Sequence, residues 1–337
     1  MRQPDFSQLL KVLHRQEPDR PTLFEFFMND TVYDAFAAGH VIAREDGLDR
    51  QRRLIQAFYR AGYDYVTLPA SDFGFPSPAR ARAKSISQSG HGVIANRVDF
   101  QNYPWPDPDC FDYTRLITLA PELPAGMQFV TNGPGGVLEN IITLLGYETL
   151  CLMTAEEPDL LDEICAAVGS RILRHYERCL EIPAVGAVIV NDDWGFAQQT
   201  MLSPADMRRY IIPWHRKMVQ AIHAAGRPAI LHACGNLREV MEDIITDLRY
   251  DGKHSYEDKI LPVEEAYEQY GGRIAILGGF DLDFICRSTP EQIQARVRAM
   301  LARTKGRGGF AIGTGNSVPD YVPLENYLAM INCAFET

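Results

Sequence analysis

The sequence predicts an α/β fold: one (β/α)8 TIM barrel domain over residues 1–337, with an N-terminal helical lead-in and a long excursion at about 70–125. Three observations carry this expectation. Eight strand-like segments are each followed by a helical pattern, which fits a closed parallel barrel better than an open doubly wound sheet. The strand segments are near-continuous apolar runs, as expected of strands covered on both faces. Their polar residues gather at the carboxyl ends, where barrel enzymes place their chemistry.

Taken in order, residues 4–17 read as a capped helix with Leu9, Leu10, Val12 and Leu13 as its apolar stripe, closed by Pro18 and Pro21. Residues 22–27 are the first strand. Glu25 interrupts it, and an acid in an apolar strand needs either an arginine partner or a catalytic role. A helix over 48–62 and a strand over 63–69 follow. The stretch 70–125 has little periodicity and is rich in Pro, Asp and aromatics around Tyr103-Pro104-Trp105-Pro106. Loops of that length are usually lids or insertions.

Regular alternation then begins. Strand 127–132 is closed by Gly133-Pro134-Gly135-Gly136 and followed by helices 137–149 and 158–181, the second stopped by Pro183. The apolar run 185–190 ends in Asn191-Asp192-Asp193-Trp194. Ser203-Pro204 starts a helix to about 224 that Pro213 should kink. After the strand ending in His232-Ala233-Cys234-Gly235-Asn236 come helix 237–248, a sixth strand within 251–257 that is the weakest of the set, helix 262–271, strand 274–281, helix 289–303, strand 309–316 and helix 323–335.

Composition limits the partners. A formal charge of -11 over 337 residues sets the mean field against nucleic acid and anionic lipid, so neither is expected. No apolar run approaches the ~20 residues of a membrane span. Seven dispersed cysteines and the lack of a secretory segment at the start lead us to expect a reducing, cytoplasmic setting.

The chemistry centres on residues 228–236. Side chains two apart in a strand share a face, so Ile230, His232 and Cys234 point together. An imidazole and a thiolate at an open strand end are zinc-type ligands. A buried, hydrogen-bonded histidine beside an inert thiol accounts for the tripeptide equally well. Glu25, Asn132, Asn191, Asp192, Asp193, His254, Asp281 and Asn316 fall at or near other strand ends, with Gly278 and Gly279 at the same level. Glycines there allow close approach of substrate or backbone, and also make turns.

Asn191-Asp192-Asp193-Trp194 with Ser203-Pro204 and Pro213, His232-Ala233-Cys234-Gly235-Asn236, Gly278-Gly279-Phe280-Asp281, and Pro319 with Pro323-Leu324-Glu325-Asn326 together resemble the uroporphyrinogen decarboxylase superfamily. That resemblance implies one of two branches. The decarboxylases of haem synthesis carry an arginine-rich segment after the first strand and a Gly-His-Gly in the last; here those places read Leu23-Phe24-Glu25-Phe26-Phe27 and Gly313-Thr314-Gly315-Asn316. A polyanionic tetrapyrrole needs arginines. The His-x-Cys pair instead resembles the corrinoid-dependent methyltransferases, which bind zinc through that pair and a later cysteine. No cysteine stands near Asn316, so the resemblance leaves the third ligand to an acid, Glu25 first and Asp192 or Asp193 next.

The resemblance thus implies zinc on His232 and Cys234 with Glu25, and a methyl group moved between a corrinoid and a small donor or acceptor such as a thiol, folate or methoxy compound. Asp192 or Asp193 would orient or protonate substrate, and His254 would act as acid or base. Asn132, Asn191, Gly278, Gly279, Asp281 and Asn316 would line the substrate. No Asp-x-His-x-x-Gly stretch occurs, so the corrinoid (cobalamin) is expected on a separate protein, with 70–125 as its docking element or a cover for the mouth. A decarboxylase-type carbon-carbon lyase and a non-catalytic binding barrel are the alternatives.

Overall fold

Seven parallel strands lie side by side in chain order in the computed structural model, which describes residues 2–40, 44–77 and 92–336. They are β1 (Tyr65–Thr67), β2 (Gln128–Asn132), β3 (Val185–Asn191), β4 (Ala229–His232), β5 (Gly252–His254), β6 (Ala275–Leu277) and β7 (Phe310–Ala311). Parallel neighbours need a crossover after each strand. Helices supply it, and the result is a curled, TIM-like α/β sheet. The apolar runs are covered on both faces as expected: Val185 to Val190 are all buried.

The first expected strand departs from this pattern. Residues 22–27 make a single parallel bridge, Leu23 to Ile312, flanked by Phe24 N–H donating to Ile312 O at 2.7 Å and Ile312 N–H donating to Thr22 O at 2.8 Å. On its other side a phenol stands in for a ladder. The Tyr65 hydroxyl donates to Glu25 O and accepts from Glu25 N–H, both at 2.7 Å. The sixth strand, faintest in the sequence, is present as β5.

Local chemistry sets the helix ends. The lead-in shortens to Phe6–Leu13, where the Asp5 carboxylate accepts from Ser7 N–H at 3.0 Å and fixes the first turn. The expected helix 137–149 breaks at Gly146, whose φ of 79° only glycine adopts freely; Val137–Leu145 and Tyr147–Glu156 meet at 97°. Ahead of Pro213 the backbone widens to a π turn, Met207–Ile211, before Ile212–Ala224. That wider turn accommodates a residue with no N–H to donate. Residues 237–248 become a short 3-10 turn and a π turn rather than one α-helix. Asp30–Ala37 and Leu282–Arg287, outside the expected elements, are short helices capped by the Asn29 and Asp281 side chains.

Part of the 70–125 excursion, residues 78–91, lies outside the described residues. The rest carries Arg97–Asn102 and Thr114–Leu119. It is anchored on the helix Pro158–Leu180, where the Arg171 guanidinium sits 4.9 Å over the Trp105 ring and donates to Pro106 O at 2.9 Å. Among the described residues no single helix is long and apolar enough to cross a membrane.

Candidate metal centre

Parallel register brings three strand ends level, with Asn191 opposite His232 and His232 opposite His254. Alternation then separates the two adjacent acids beyond β3. Asp193 turns inward with His232 and Cys234, and Asp192 turns outward to the helices. One ligand atom each from Asp193, His232 and Cys234 lies within 4.8 Å of the other two. His232 Nε2 is 3.9 Å from Cys234 Sγ, and Cys234 N–H donates to Asp193 Oδ1 at 3.0 Å.

A histidine relay fixes which nitrogen faces this cluster. His254 Nε2 is 3.2 Å from Thr314 O, and a carbonyl only accepts, so that nitrogen carries the proton. Burial lowers His254 to about 3 and pushes His232 well down, so both rings are neutral. His254 Nδ1 is then an acceptor, and His232 Nδ1–H donates to it at 2.8 Å. His232 Nε2 is left as a bare lone pair on the Cys234 side. Both His254 nitrogens are engaged, so the expected acid or base has no nitrogen for substrate; its place in the relay is to orient His232.

The sulfur is also surrounded by donors. Asn316 Nδ2 lies 3.2 Å and Ser255 Oγ 3.7 Å from Cys234 Sγ. The Asn316 amide is held that way round because Ser317 N–H donates to its Oδ1 at 2.7 Å. Burial and then the Asp193 charge push the thiol well above its usual range, so it keeps its proton unless a cation is near. Carboxylate, bare imidazole nitrogen and thiol form a donor set that fits a metal ion, since bonds of about 2.0–2.3 Å place ligands of one ion at such separations.

Asp192 has a different task. It is fully buried and accepts from Leu138 N–H at 3.0 Å, Glu139 N–H at 2.9 Å and His215 Nε2 at 2.8 Å. It thereby caps Val137–Leu145 from across the sheet. Gly136 leaves room for this, because a Cβ there would meet Asp192 Cβ at 2.0 Å. The same turn carries a site residue that the sequence reading missed. Glu139 Oε2 accepts from Gly136 N–H at 2.9 Å and from Asn191 Nδ2 at 3.4 Å. Burial, then the Asp192 and Asp193 charges, raise Glu139 to about 8.

Glu25, the acid expected to complete the ligand set, is not in the cluster. It is fully buried, and its carboxyl spans Thr314, with N–H donating to Oε1 at 2.7 Å and Oγ1 lying 2.8 Å from Oε2. The Thr314 hydroxyl has one proton and a second partner, Asn316 O, which only accepts. The proton between Glu25 and Thr314 therefore belongs to Glu25. Burial agrees, raising Glu25 to about 8 against the opposing Thr314 bonds. In the unfolded chain it ionises near its ordinary value of 4.5. Native stability should accordingly fall as pH rises from that value to about 8 and level off above, by on the order of a few kcal/mol. Melting temperatures of wild type and Glu25→Gln across this range check it: the amide, neutral at every pH, should lack this part of the slope, and parallel curves would refute it.

The other expected substrate residues divide. Asn191 Oδ1 is buried with no partner, beside Glu139. Asn132 Nδ2 donates to Gly133 O at 3.1 Å, away from the cluster. Asp281 is a cap, accepting from Asp283 N–H at 2.7 Å and Asp258 N–H at 2.8 Å, so its oxygens are taken. Gly278 and Gly279, at φ 64° and 113°, carry the chain from β6 to the Phe280–Thr314 bridge, and a Cβ on Gly278 would meet Thr314 O at 2.3 Å.

The family model for uroporphyrinogen decarboxylase (URO-D) matches residues 125–337. Uroporphyrinogen decarboxylase of Geobacter sulfurreducens is 25% identical over 149 residues, 44% of this chain and 41% of that protein. The Chloroflexus aggregans enzyme of the same name is 26% identical over 182 residues, 51% of this chain and 46% of that protein. The chain thus spans less than half the length of these curated relatives. A methyltransferase from Methanosarcina mazei superposes with a TM-score of 0.74 at 17% identity, covering 98% of each chain, and shares the fold.

Proposed function

The chain belongs to the uroporphyrinogen decarboxylase family, and within it we propose a zinc-dependent methyltransferase that moves a methyl group between a corrinoid carried by a separate protein and a small donor or acceptor. The observation that carries this reading is the inward cluster of Asp193, His232 and Cys234, with a bare imidazole nitrogen beside a thiol. The fold shared with the Methanosarcina mazei methyltransferase over nearly the whole chain supports it. So does the apolar wall: the Phe26 ring packs 4.8 Å from His232 and Phe24 5.2 Å from His254, where a polyanionic tetrapyrrole would need arginines. We read residues 22–26 as the eighth stave of a closed barrel, joined to β1 through Tyr65.

Asp193, His232 and Cys234 would hold zinc, which when bound supplies Lewis acidity toward a thiol or a leaving oxygen or nitrogen. The chain's own groups do the rest. His254 holds the His232 ring in one tautomer, and Asn316 and Ser255 direct donors at the sulfur. Phe26 keeps water from the imidazole. Asn191 offers its free Oδ1 to substrate, and Glu139, protonated at neutral pH, gives its proton to the departing group.

The test is absorbance of the corrinoid. Zinc-loaded protein with methylcobalamin and candidate thiols, or with cob(I)alamin and methoxy compounds or methylamines, should interconvert the two corrinoid spectra. His232→Ala should lose at least about 100-fold, the upper figure for removing even an outer partner of a metal ligand. Carbon dioxide release from uroporphyrinogen with no corrinoid change would favour the decarboxylase instead.

A further inference from the structure

Behind the metal cluster, on the opposite face of β5, lies a charge that the proposed reaction does not use. Lys253 is 3% exposed. Its ammonium donates to Ser255 O at 2.6 Å and Ala233 O at 3.4 Å and lies 4.3 Å over the Tyr256 ring. It forms no ion pair among the described residues. Buried charges are ordinarily paired, because desolvation without a counter-charge is costly. Lys253 lines a small, half-open cleft between the loops after β4 and β5, with room for only a few heavy atoms.

A second orphan lines the same cleft. Tyr256 is 5% exposed, and its hydroxyl is buried without a hydrogen-bond partner. Leaving such a group unpaired costs about 1–3 kcal/mol. At the rim Arg238 is exposed and also forms no ion pair among the described residues. Asn236 and Glu257 complete the polar lining.

From this juxtaposition we propose that the cleft is a binding site for a small carboxylate anion, held by the Lys253 ammonium and the Tyr256 hydroxyl with Arg238 at the entrance. Two buried donors match the two oxygens of a carboxylate. The Glu257 carboxylate on the same wall opposes a second negative charge, which selects a monoanion over a phosphate dianion. The cleft lies on the other side of the loop after β5 from the metal cluster and shares Ser255 with its surroundings.

The test is thermal stabilisation by sodium acetate against sodium chloride at equal ionic strength, on wild type, Tyr256→Phe and Lys253→Met. Acetate should stabilise wild type saturably. Its apparent affinity should fall about 5- to 10-fold in Tyr256→Phe, the loss of one net hydrogen bond. The effect should vanish in Lys253→Met, which keeps the apolar stem. If Lys253→Met does not fold, Arg238→Gln replaces it, with a smaller weakening expected. Equal, unsaturable responses in all proteins, or stabilisation by chloride to the same extent, would overturn the site. Phosphate binding as tightly as acetate would overturn the carboxylate assignment.

Discussion

Asp192→Ala is expected to lose about 3–5 kcal/mol of unfolding free energy, read from urea denaturation at neutral pH. The side chain is fully buried and accepts from two backbone N–H groups and one imidazole. Alanine leaves Leu138 and Glu139 N–H unpaired at a helix start and removes the partner of His215. Asp192→Asn keeps one acceptor and should lose less. A loss below about 1 kcal/mol for the alanine variant would mean that Asp192 does not cap the helix.

Its neighbour should behave in the opposite way. Asp193→Ala gives up one hydrogen bond, from Cys234 N–H, so metal-free stability should change by only about 1 kcal/mol. Metal affinity should fall by roughly two orders of magnitude, because about 10–16 kcal/mol of zinc binding spread over four ligands gives about 3 kcal/mol each. Competition with a chromogenic chelator measures this. Unchanged affinity in Asp193→Ala would remove it from the ligand set.

The contrast between the two acids shows where sequence reasoning reaches and where it stops. Strand alternation gives Asn191 and Asp193 one face and Asp192 the other, and it places His232 with Cys234. Which face is inward depends on the register between β3 and β4, and that is a long-range property. Glu25 looked like a ligand because an acid in an apolar strand demands a partner; the partner is Thr314, almost 290 residues away along the chain (|i−j| = 289). The first strand fails as a ladder because the Tyr65 phenol occupies the backbone of Glu25, which no periodicity encodes. His254 was visible as a strand-end histidine, whereas its two occupied nitrogens were not. Glu139 did leave a signal: Gly136 and Glu139 have the spacing of a capping box. That spacing marks a cap, and the raised acid comes from its burial in the fold and then from Asp192 and Asp193 packed against it.

The most direct test of the metal centre is elemental mass spectrometry of wild type, Glu25→Gln and Asp193→Ala, purified without chelators and reloaded with zinc. The structure predicts near-stoichiometric zinc in wild type and Glu25→Gln and little in Asp193→Ala. Zinc retained by Asp193→Ala but lost from Glu25→Gln, or absent from reloaded wild type, would contradict the proposed centre and the methyl transfer built on it.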